Sequence, residues 1–142
     1  MMLGVRSVDR SSKPIVVGLA LFCCLAAATH AQSQSRYTET QLKLAGQIGS
    51  VIGLVERCGI APMPNAAFLR AMKAEGLREA DMKADTAFKA RVIDQMKTMK
   101  VMDGVAAQAG VPHAERRKGA CAKLADMYGP EGYVRPGLAA PR

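Results

Sequence analysis

The chain has 142 residues, with 20 Lys and Arg against 12 Asp and Glu for a net charge of +8, an aromatic share of 4% and no Trp. That length holds one domain and leaves no room for a second full one. Scarce aromatics beside plentiful Ala, Leu, Met, Lys and Gln argue against a sheet, which draws on Tyr, Phe, Val and Thr, and place the chain in the all-α class.

Residues 1–31 read as a secretory signal peptide. Arg6, Arg10 and Lys13 supply a basic start, Ile15 to Ala28 form an almost unbroken apolar stretch, and small residues follow at Thr29 and Ala31. The stretch is shorter than the roughly 20 residues of a membrane span. Cleavage after Ala31 is expected, because the chain turns polar at once with Gln32, Ser33, Gln34 and Ser35. The competing reading is an uncleaved anchor, since no charge falls between Lys13 and Arg36, and only then is membrane contact expected. Lipoprotein processing is not expected: neither Cys23 nor Cys24 follows a Leu-small-small pattern. Past the leader, 17 basic residues against 11 acidic ones leave +6. Such a surplus favours anionic surfaces, mainly by speeding encounter. Nucleic acid is not an expected partner, because no aromatic residues are interleaved with the basic ones as a single-strand binder would want.

Residues 32–37 form a polar linker, and 38–129 the helical domain. Thr38 and Gln41 stand at capping-box spacing before an apolar run, which predicts a helix over Glu39–Cys58 ended by Gly59. Leu42, Leu44, Ala45, Ile48, Val51, Ile52, Leu54 and Val55 make its apolar side broad enough to be buried on more than one face. Gly46, Gly49 and Gly53 lower its intrinsic helicity but allow close approach of another helix.

Pro62 and Pro64 break the chain. Asn65 is the expected N-cap of a short helix over 66–75, ended by Gly76, with Phe68, Leu69 and Met72 on its apolar side. One long helical segment is expected from about 78 or 79 to 108. At 100° per residue, Phe88, Val92, Met96, Met99 and Met102 fall within an arc of about 120°, a core stripe, although Asp103 and Gly104 could interrupt it. A last helix runs from about Val111 or Pro112 to Tyr128, closed by Gly129 and Pro130, with Cys121, Leu124, Ala125 and Tyr128 along one side. Residues 130–142, containing Gly132, Pro136, Gly137 and Pro141, are expected to form a loose tail. Short connections between these elements point to a small antiparallel three- or four-helix bundle.

Cys23 and Cys24 leave with the leader. Cys58 and Cys121 remain, and two thiols in an exported domain most simply form one disulfide, here fastening the first helix to the last. A zinc site would want more ligands than two Cys and His113. Met96, Met99 and Met102 have a spacing that suits Cu(I), but they also complete the core stripe, and packing is the first reading. Arg116, Arg117 and Lys118, with Lys123, make the densest basic patch and are the candidate contact for an anion.

No carboxylate pair, Ser-His-Asp set or phosphate-binding loop is visible, so no catalytic residue, cofactor, metal site or enzymatic activity is assigned. The expected function is that of an exported module of the bacterial cell envelope, periplasmic or secreted, with a binding or structural role. Its expected partner is an envelope protein or an anionic envelope component. The alternative is Cu(I) binding through the methionine cluster.

Overall fold

The computed structural model describes residues 36–60 and 63–139; the expected signal peptide and the start of the expected linker lie outside the described residues. Within them the chain is all-helical, with five helices: α1 (Glu39–Cys58), α2 (Asn65–Ala74), α3 (Ala80–Lys83), α4 (Ala87–Gln108) and α5 (His113–Tyr128).

Local chemistry fixes both ends of α1. The Gln41 N–H donates to Thr38 Oγ1 at 3.2 Å, and the Thr38 N–H donates back to the Gln41 side chain at 2.9 Å, so the expected capping box is formed. At the other end Gly59 adopts the left-handed conformation, φ 74°, and its N–H closes on the Val55 carbonyl. Leu44, Ala45, Ile48, Val51, Leu54, Val55 and Cys58 are all buried, so α1 is the central helix of the core.

Two expectations need correction in the next stretch. Asn65 is not the N-cap of α2 but its first helical residue, since the Pro64 carbonyl already accepts from the Ala67 and Phe68 N–H groups. The single long helix expected from 78 or 79 to 108 is two helices, α3 and α4. Thr86 divides them: its hydroxyl donates to the Asp81 carbonyl at 2.6 Å and accepts the Lys89 N–H at 3.1 Å, which ends one helix and caps the other. Asp103 and Gly104, by contrast, continue α4. Beneath α3, the buried Asp81 carboxylate accepts from the Tyr37 hydroxyl at 2.7 Å and from the Arg78 N–H at 2.9 Å.

The helix directions follow from side-chain register. A side chain added at Gly49 would meet Val92 and Gln95, one at Gly53 would meet Met99, and Arg57 pairs with Asp103. Both sets of numbers rise together, so α1 and α4 run parallel. Between α1 and α5 the order reverses, with Ser50 bonded to Tyr128 and Cys58 to Cys121, so that pair is antiparallel. The bundle is therefore not uniformly antiparallel. The connection through α2 and α3 returns the chain to the starting end, which the expectation of a single long helix leaves out.

The expectation of a loose tail does not hold for residues 130–139. The Tyr133 and Val134 N–H groups donate to Asp126 and Met127, the Gly137 N–H donates to Gly129 at 2.7 Å, and the Ala139 N–H donates to Tyr128 at 2.8 Å. Leu138 is only 2% exposed and joins the core.

Candidate functional site

Two places concentrate the chemistry: the end of the bundle that holds the disulfide, and a cleft beside α2. At the first, α1 ends at Cys58 next to Cys121 of α5, with Cα atoms 4.9 Å apart and a bridge between the sulfurs. The distance lies within the ordinary range for a disulfide. Cys121 is thereby engaged, which leaves no free thiolate for a pairing with the exposed His113.

The basic residues around this bridge do not form one patch. Arg117 Nε donates to the Cys58 carbonyl at 2.9 Å, so its charge answers the carbonyl end of α1. Arg116 turns inward, 14% exposed, toward Asp103 of α4 at 3.8 Å, and Arg57 of α1 reaches the same carboxylate oxygen at 2.8 Å. One carboxylate thus ties three helices together. Lys118 and Lys123 remain exposed, about 140° apart on the helix at 100° per residue, on opposite flanks of its solvent face. Of the expected anion patch, two members hold the fold and two face solvent separately.

The methionines also part company. Met99 packs over Gly53, Met96 is half-buried against the core, and Met102 is 57% exposed. Met102 is therefore no part of the core stripe: although Met99 before it and Asp103 after it both meet α1, Met102 shares an exposed face of α4 with Val101 and Val105. Among the described residues no group of three or more His, Cys, Asp or Glu is placed to hold a metal ion. No helix among them is long and apolar enough to cross a membrane.

The second place is an open cleft of about 300 Å³ between α2 and the folded-back segment after α5. Ala67 and Ala71 of α2 line one side and Leu138 the other, while Arg70 and Arg135 also line it. Arg135 is braced: its guanidinium donates to Glu75 at 2.9 Å and lies 3.4 Å from the Gln47 side-chain oxygen. Gln41 in turn donates to the Glu75 carbonyl at 2.9 Å, so the capping residue of α1 also steadies the end of α2. Gly137, with φ 72°, makes the turn that carries Leu138 back toward the core. Sequence reasoning misses this pair of arginines. They stand far apart in the chain, and Arg135 sits among Gly and Pro residues that signal a loose tail; Val134 and Leu138 are the local hints that the segment returns.

No known protein family, curated protein or solved structure matches this chain.

Proposed function

We propose that the protein is exported to the bacterial cell envelope, in the periplasm or beyond it, after loss of residues 1–31, and acts there as a binding module for an envelope protein or an anionic envelope component. The observation that carries this reading is the Cys58–Cys121 bridge, because such bonds form and persist in oxidising compartments. The basic leader with its apolar stretch supports the same route. Beyond the leader, the net charge of +6 would speed encounter with anionic surfaces.

The test starts from protein isolated from its producing cells under thiol-blocking conditions. An intact mass beginning at Gln32 with both sulfurs oxidised is the expected result, together with cross-links to an envelope component in living cells. Two free thiols on a full-length cytosolic chain would overturn the reading.

A further inference from the structure

We propose that the cleft between α2 and the segment after α5 is a carboxylate-recognition site, with Arg70 as the exposed contact and Arg135 as the braced one. This rests on the binding-module reading and deepens it by naming the group that is bound.

The charge balance selects a monoanion. Arg135 already carries Glu75 at 2.9 Å, so its charge is compensated, although its planar fork still has donors beyond those given to Glu75 and Gln47. Arg70 has no ion pair or side-chain hydrogen bond among the described residues and is exposed on α2. The cleft therefore holds one uncompensated positive charge beside a second, oriented guanidinium. Arg forms bidentate, charge-assisted hydrogen bonds with carboxylates, which suit this pairing.

The walls leave room for a small organic body beside the carboxylate. Ala67 and Leu138 line the cleft while almost wholly buried, and the half-buried Ala71 and exposed Pro136 supply its small apolar surface. A ligand with a carboxylate at one end and a small apolar body fills both requirements. At about 300 Å³ the cleft sits at the small end of ligand sites, which run from about 300 to 1,000 Å³. A free organic acid and the C-terminal residue of a peptide present the same chemistry.

The experiment records amide chemical shifts of the oxidised protein, as isolated, during titration. The probes are N-acetylalanine, its amide, a hexapeptide ending in alanine with a free carboxylate, the same peptide amidated, and inorganic phosphate. Saturable shifts at Ala67, Ala71, Gly137 and Leu138 with either free carboxylate, and none with the amides, are expected. Tighter binding of the peptide than of N-acetylalanine identifies a chain terminus as the source; equal binding identifies the free acid. Arg70→Gln, at an exposed position, should leave the fold intact by circular dichroism and weaken binding about tenfold. Equal binding of acid and amide, binding of phosphate alone, no saturation by about 10 mM, or unchanged affinity in Arg70→Gln overturns the assignment. If cross-linking in cells still captures an envelope component while the cleft stays silent, only the cleft assignment falls. If both fail, the module reading falls with it.

Discussion

Gly49 of α1 lies directly against the backbone carbonyl of Val92 in α4, so close that a methyl group in place of its hydrogen would overlap the carbonyl oxygen and come within 2.8 Å of Gln95 Cβ. Backbone cannot step aside as a flexible side chain can. Gly49→Ala is therefore expected to destabilise the fold by about 1–3 kcal/mol, the range for overpacking. Gly46→Ala meets only the Arg91 guanidinium, at an ordinary 3.8 Å, and should be neutral or stabilising by up to about 1 kcal/mol through helix propensity. Urea midpoints of the two variants check the contrast.

Removing the bridge tests how much of the stability is cross-linking. Cys58 and Cys121 are 63 residues apart, and for a loop of that size the chain-entropy relation predicts up to about 4 kcal/mol. Cys58→Ala with Cys121→Ala should lower stability by about 2–4 kcal/mol and make the urea midpoint insensitive to reductant.

Asp103 serves two arginines with one carboxylate oxygen. Asp103→Ala would leave Arg57 and Arg116, 21% and 14% exposed, with their shared counter-charge gone. A fully buried pair would cost about 3–5 kcal/mol when broken, but Asp103 itself is 31% exposed, so a loss of about 1–3 kcal/mol is expected. Equilibrium denaturation at low and high salt checks it, and the loss should be smaller at high salt.

Leu138 and Met102 exchange the importance that their sequence context suggests. Leu138→Ala empties a core position and should cost about 2–5 kcal/mol, whereas Met102→Ala, at an exposed position, should change stability by less than about 0.5 kcal/mol. Thermal unfolding of the two variants side by side reads the difference.

Burial holds the Tyr128 hydroxyl above its ordinary pKa of 10.0, and the nearby Tyr133 pushes the same way, while the hydrogen bond with Ser50 opposes both. Because the folded value exceeds the unfolded one, this contribution is fully present below pH of about 10 and is lost as pH rises through the folded value. The stability difference between the native protein and Tyr128→Phe should stay constant from pH 8 to about 9.5, then shift against the native protein at higher pH. Parallel pH profiles would contradict the shift.

What was legible in the sequence depends on how local each cause is. Thr38, Gln41 and Gly59 act within one turn of the ends of α1, and the apolar run between them is continuous, so the helix can be read to its last residue. The break at Thr86 is harder to see. Ala84 and Asp85 are compatible with a helix, and the decisive hydroxyl works through the Asp81 carbonyl on the preceding element. Close approach at Gly49 and Gly53 is readable from their spacing, but the parallel course of α1 and α4 is not, because direction depends on the crossover through α2 and α3. The basic patch fails for a related reason. Running parallel, α1 and α4 bring the Cys58 carbonyl and the Asp103 carboxylate to the same side of the bundle, where Arg117 and Arg116 of α5 find dipolar and anionic partners inside the fold.

The parallel course of α1 and α4 also sets an order of events as the chain emerges from its N-terminal end. Leu44, Ile48, Val51 and Leu54 appear early, yet their main cover on α4 begins only at Ala87 and the opposing α5 only at His113. For the whole of that interval α1 is an oily, glycine-weakened segment without a long partner. It is a stretch a chaperone would have to shield, and one exposed to aggregation when synthesis stalls.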